Sequence, residues 1–144
     1  MKFLFSILFF IFSSPIQWSN NFDESTQVAK KEHKYILVNF SGSDWCGPCI
    51  RLHKEVFTTD DFIKLASEKL VLVNADFPRY KKNQLSANQQ KMNDLLAEKY
   101  NSKGVFPITV LVNAEGKLIK SWEGFPASSS QFIEDIAQTI QDNQ

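Results

Sequence analysis

Apolar and polar positions along this chain fall into blocks whose period changes. "YILVNF", Tyr35 to Phe40, is a nearly continuous apolar run with β-branched members, the pattern of a strand buried on both faces. "LVLVNADF", Leu70 to Phe77, has the same character. Between them the spacing predicts a helix from Cys49 to about Phe57. "TTDD", Thr58 to Asp61, interrupts it and can cap a second short helix reaching about Lys69. Pro78 to Gln90 is a polar connection containing "RYKK". At its end Ser86 and Gln89 have capping-box spacing, and the helix that follows carries Met92, Leu95, Leu96 and Tyr100 on one face. "FPITVLVNAEGKLIKSWEG" reads as a hairpin, with Ile108–Val112 and Lys117–Trp122 joined by a turn in which Gly116 can take positive φ. Ser128 and Gln131 form a second capping box, and Phe132, Ile136 and Ile140 give the last helix its apolar stripe. Ahead of all this, the polar stretch Asp23 to Lys34 suggests a loosely packed helix. Strands alternating with helices and closing in a hairpin predict one α/β domain with a mixed central sheet, helices on both faces, and a parallel right-handed first crossover.

The first residues follow another pattern. In "MKFLFSILFFIFSSPIQWSN", Lys2 precedes a run, Phe3 to Phe12, that is apolar except for Ser6. As a helix that run reaches about 15 Å, roughly half of a hydrocarbon core. It resembles a secretory signal peptide more than a membrane anchor, although no clean cleavage pattern follows it. Residues 1–19 are therefore expected to be a signal peptide and 20–144 the folded domain, with Trp18 in the processing region. The expected location is the periplasm or the exterior of a bacterium, where disulfides persist.

Sixteen basic and sixteen acidic residues cancel, which gives no electrostatic reason to expect nucleic acid as a partner. "RYKK" reads first as a solvated loop, and Asp44 as an exposed turn residue.

The only two cysteines, Cys46 and Cys49, lie three apart in "SDWCGPCIRLH". Cys46 falls at or just before a helix N-terminus, where unpaired N–H groups and the positive dipole end favour a thiolate. Spacing of three brings Cys49 beneath it within reach of a disulfide. Pro48 sits in the first turn, where a missing N–H is harmless, and Gly47 leaves the sulfur open to an approaching polypeptide. A structural staple closing so short a loop would constrain the unfolded chain little. A zinc site would need two more ligands, and His53 lies about 10 Å along the helix from Cys46. Thiol–disulfide exchange is the reading these residues favour.

At these residues the chain resembles the thioredoxin superfamily. More narrowly, "FSGSDWCGPC", "EVF", "ADFPR" and "LLAEKY…FPITVLVNAEGK" are similar to secreted bacterial thioredoxin-like proteins related to the C-terminal domain of periplasmic thiol:disulfide interchange proteins. The resemblance covers about Tyr35 to the C-terminus. It implies a thioredoxin-like fold, Cys46 as nucleophile, Cys49 as resolving thiol, and Trp45 flanking the site. It also implies a cis-proline at Pro107, Phe106 lining the substrate groove with Gly47 and Pro48, and Gly124 after the last strand. Two departures stand out. The buried Asp–Lys pair of many thioredoxins is matched by Asn39 and Leu72, and Ile108 follows the proline where Thr is usual.

The function expected is protein disulfide reduction or exchange by a redox-active Cys46–Cys49 pair, without metal or organic cofactor. The expected partners are disulfide-containing proteins and a membrane thiol electron donor, and the expected state is a monomer. The rival is a non-catalytic binding or assembly module in which the dithiol is only a redox switch.

Overall fold

The computed structural model describes residues 15–144. Its elements are β1 (Trp18–Ser19), α1 (Phe22–Glu32), β2 (Tyr35–Ser41), α2 (Gly47–Glu55), α3 (Asp60–Lys69) and β3 (Leu70–Asp76). A 3-10 turn (Lys81–Asn83), α4 (Ala87–Tyr100), β4 (Ile108–Val112), β5 (Leu118–Glu123) and α5 (Ser129–Asp142) complete them. The five strands form one mixed sheet in the order β1-β3-β2-β4-β5. β2 lies at its centre, parallel to β3, as the alternation of strands and helices predicts, and antiparallel to β4.

Register explains why both faces of β2 are buried. Leu37 is level with Leu72 on β3 and Leu111 on β4, and these three pack in one cluster with Leu52 of α2, Val56 just after it, Phe62 of α3 and Ile136 and Ile140 of α5. The intervening residues Ile36, Val38 and Phe40 point the other way, where Ala29 of α1 and Leu96 and Tyr100 of α4 cover them. Each large side chain so enclosed stabilises the fold by about 1.5–3 kcal/mol relative to exposure. The central strand is thus held from both sides at the point where it delivers the chain to the cysteines.

Five details differ from the sequence reading, the first being α2, which starts two residues before the expected Cys49 and ends two before Phe57. Trp18 and Ser19, assigned there to a processing region, form β1, in parallel register with Leu72 and Val73. The Trp18 ring meets Phe57 and His53 at 5.0 Å each, so the hydrophobic layer extends back past residue 20. α1 begins one residue earlier than expected and is not loose: its Ser25 and Ala29 are buried and it packs on β3 and β2. In α4 the buried stripe is Asn93, Leu96 and Tyr100, while Leu95 is 55% exposed. The helix is rotated because Asn93 donates its amide to the backbone carbonyl of Asp76 at 2.8 Å, tying α4 to the end of β3. Finally, β5 is Leu118–Glu123, one residue later than expected at each end, while Gly116 does take positive φ (80°) in the turn.

Both serine caps are present: Ser86 accepts from the Gln89 N–H and Ser128 from the Gln131 N–H. The reciprocal half of the first box is replaced, since the Gln89 side chain donates instead to Asn20 and Asn93. Among the described residues no helix is long and apolar enough to cross a membrane. The apolar run Phe3–Phe12 lies outside the described residues.

Candidate active site

β2 ends at Ser41, and the chain then reverses through a tight turn in which the Cys46 N–H donates to the Gly42 carbonyl at 2.9 Å. Cys46 is the N-cap of α2, in extended conformation, with Gly47 and Pro48 as its first two helical residues. Proline is harmless there because that position has no intrahelical acceptor for its N–H. Cys46 and Cys49 are joined in a disulfide with Cα atoms 5.2 Å apart, and the Cys49 N–H points at the Cys46 sulfur, 3.3 Å away. Cys49 is fully buried and Cys46 nearly so, at 5% exposure, while Gly47 and Pro48 are exposed. The outer sulfur therefore lies at the bottom of a shallow opening whose lip is Gly-Pro.

Aromatic side chains build the wall of that opening. Trp45 donates its indole N–H to the Phe77 carbonyl at 2.7 Å, and its ring meets Phe106 edge-on at 5.4 Å. Phe77 closes the set, 5.5 Å from Phe106. Gly42 makes this possible: a Cβ there would stand 2.3 Å from the Trp45 ring. The Phe106–Pro107 bond is cis, as the resemblance implied. The Pro107 carbonyl accepts from the Gly124 N–H at 2.7 Å, and Gly124 has φ 77°, a conformation most other residues avoid. Trp45, the residue before Cys46, thus meets Phe106, and Pro107 meets Gly124, so that three separate segments converge here.

The approach to the cysteines is braced by two carboxylates. Asp76 accepts from the backbone N–H and the hydroxyl of Ser43. Asp44 accepts from the N–H groups of Arg79 (2.9 Å) and Tyr80 (2.8 Å) and from the Asn83 amide (3.0 Å). Desolvation works against the Asp44 charge, but these donors outweigh it and hold the carboxyl below its ordinary range. Asp44 is therefore more than an exposed turn residue: its charge is spent on fixing the 79–83 segment. That segment in turn lays the Arg79 guanidinium 3.6 Å over the Trp45 ring. Within α2, Arg51 sits 4.2 Å over the Phe125 ring and is ion-paired to Glu55.

Asn39 on β2 and its two cross-strand neighbours are polar but uncharged. Cys49 and Leu52 are the buried stripe of α2, and Leu52 packs in the layer of Leu37, Leu72 and Leu111, so Cys49 faces that side of the sheet. Two residues further along β2 on that side is Asn39, level with Asn74 on β3 and Thr109 on β4. Asn39 has no exposed surface, and its Oδ1 accepts from the Thr109 hydroxyl at 3.3 Å. Asn74, not Leu72, is thus the cross-strand neighbour of Asn39, because Leu72 pairs with Leu37. Among the described residues the fully or nearly buried polar side chains are all neutral.

His53 is one turn deeper along α2 than Cys49, half-buried against Trp18 and Phe57. Burial lowers its pKa, an effect Asp76 partly opposes. Sequence reasoning located the cysteines and their immediate partners. It missed Gly42, Asn74, the bracing role of Asp44 and the Arg79 stack, all of which depend on where distant loops meet.

Residues 22–139 match the thioredoxin-like domain family. The chain is 29% identical over 130 residues to the disulfide bond reductase DsbH of Chlamydia pneumoniae, covering 90% of this chain and 76% of that protein. A solved DsbH oxidoreductase superposes with a TM-score of 0.79 at 27% identity, covering 98% of this chain and 95% of that one. The oxidised C-terminal domain of DsbD from Neisseria meningitidis is similar in fold, with a TM-score of 0.57 at 19% identity over 81% of this chain and 90% of that one. A Cys-x-x-Cys disulfide in this fold, in a chain so similar to a disulfide bond reductase, is the equipment of a thiol–disulfide oxidoreductase. On sequence match, fold and dithiol together, the chain belongs to the thioredoxin-like domain family.

Proposed function

We propose that this protein reduces disulfides in exported proteins, with Cys46 as nucleophile and Cys49 as resolving thiol. The observation that carries the reading is the asymmetry of the pair: Cys46 caps the α2 N-terminus at the opening, while Cys49 is wholly enclosed behind it. A Cys46 thiolate, favoured by the helix N-terminus, attacks one sulfur of a substrate disulfide and expels the other as thiolate. The mixed disulfide is then attacked by Cys49, which forms the Cys46–Cys49 bond and releases the second substrate thiolate. The protein is oxidised by two electrons and the substrate reduced by two. Trp45, Phe106 and Pro107 line the path by which a polypeptide reaches the sulfur, and Gly47 and Pro48 keep it open.

Each cycle ends with oxidised protein, so a thiol donor must restore the dithiol. In a chain exported through the segment Lys2–Phe12, that donor is a membrane thiol protein facing the same compartment. The kinship with a disulfide bond reductase supports the reducing direction.

Turnover of insulin disulfides with dithiothreitol as electron source tests the reading. The protein should accelerate insulin precipitation catalytically, and Cys46→Ser should abolish the effect. Stoichiometric oxidation without turnover would instead identify a redox-switched binding module.

A further inference from the structure

The segment Arg79–Asn83 is the one sequence motif beside the dithiol that the exchange chemistry leaves unused. Its position is fixed. The Asp44 carboxylate ties down two of its backbone N–H groups and Asn83, and Arg79 is stacked on Trp45, the residue before Cys46. Its side chains face outward: Arg79, Lys81 and Lys82 are exposed, and Tyr80 is 56% exposed between them. The ion pairs among the described residues are Lys34–Glu32, Arg51–Glu55 and Lys120–Asp135, so the three cations of this segment are unpaired. Asp44, the acid that holds them, is engaged with the backbone rather than with their charges. Arg51 of α2, by contrast, is ion-paired to Glu55. The 79–82 segment is thus a local excess of positive charge beside Trp45, although the whole chain carries no net charge.

We propose that the 79–82 ledge docks acidic polypeptide, so that the preferred substrates carry Asp or Glu beside the disulfide to be reduced. A guanidinium stacked on an indole keeps its N–H edges free for a carboxylate, and its geometry is preset by the ring. The two lysines add field at short range, which speeds encounter with an acidic chain. Tyr80 and Trp45 supply apolar contact alongside. The proposal names the substrate class of the site described above and rests on the reductase reading.

The test uses the reduced protein and three synthetic peptides with one disulfide each, flanked by acidic, neutral or basic residues. Single-turnover rates of peptide thiol release are measured at low and high salt. The acidic peptide should react about tenfold faster than the basic one at low ionic strength, and the ratio should collapse toward one near about 0.5 M salt. Lys81→Glu/Lys82→Glu should remove or invert the preference; because a ratio is read, a general loss of activity cancels. Equal rates for acidic and basic peptides in the wild type overturn the proposal, as does an unchanged ratio in the double variant. Both outcomes leave the reductase reading standing if the neutral peptide is reduced. Failure to reduce any of the three peptides overturns that reading, and this proposal with it.

Discussion

Thr109 donates its hydroxyl to Oδ1 of Asn39 across the β2–β4 pair, 3.3 Å away, where both side chains are buried and neutral. The contact fills the level of the sheet where Cys49 faces it. Asn39→Asp would place a carboxylate there with no buried cation to pair with. The expected destabilisation at neutral pH is about 1–4 kcal/mol, the range for a poorly paired buried polar or charged group. Burial raises the folded-state pKa of the new acid above its unfolded value. The unfolded chain then ionises first, so the penalty is largest above the folded pKa and fades as pH falls toward the unfolded one. Denaturant melts of wild type and variant at about pH 5 and about pH 8 should differ most at the higher value; a constant difference would refute the argument.

Gly42→Ala is expected to disturb the site without touching a cysteine. The added methyl would meet the Trp45 indole at 2.3 Å, so the ring must leave its seat over Gly42 and its bond to Phe77. Overpacking of this kind costs about 1–3 kcal/mol. Trp45 emission should shift and peptide reduction should slow, while a spectrum identical to wild type would place the ring elsewhere.

Reduced protein treated with limiting iodoacetamide near neutral pH should be labelled at Cys46 well before Cys49. Peptide mass mapping reads the order, and equal labelling would remove the basis for assigning the two roles. Cys49→Ser should trap mixed disulfides with substrates, whereas Cys46→Ser should not.

His53 supplies a pH dependence of opposite direction to the Asp variant, from the same cause, burial of a charge. Burial holds its folded-state pKa below the unfolded value, so the unfolded chain binds the proton more readily. Its contribution to stability is complete above the unfolded pKa and is lost as pH falls through the folded one. Between about pH 7.5 and about pH 5 the wild type should lose more stability than His53→Phe, which keeps an aromatic ring against Trp18 and Phe57. Parallel stability curves would contradict this.

Any cleavage behind the apolar run Phe3–Phe12, as the signal-peptide reading expects, should spare Trp18. Its ring packs on Phe57 and Phe62 and its backbone pairs with Leu72, so a mature chain starting at Asn20 would lose an edge strand and its anchor. A version starting at residue 15 should be more stable than one starting at 20 by about 2 kcal/mol or more. N-terminal sequencing of exported protein should find a start upstream of Trp18.

Most of the scaffold was legible because long apolar runs such as Tyr35–Phe40 and Ile108–Val112 admit few alternatives to buried strands. The cysteine pair was legible because local spacing alone fixes a turn of helix. β1 was not, since two residues carry no period and Trp18 lies beside a run that reads as a leader. The neighbour of Asn39 was also hidden: choosing Asn74 over Leu72 requires the β2–β3 register, which apolar patterning fixes only to within two residues. Likewise "RYKK" reads as solvent-exposed charge, which it is, but nothing local reveals that Asp44, 35 residues before Arg79, holds it against the site.

β1 runs parallel to β3, so Pro15 and Ile16 leave the sheet at the end where β2 and β3 begin, whereas Cys46 follows the end where they finish. With seven residues in β3, these two poles are separated by about 20 Å of sheet. A chain held by its N-terminal side, whether on a bilayer, a bead or a fused partner, therefore turns its reactive sulfur outward. Immobilisation through that pole should leave the dithiol presented to whatever diffuses past.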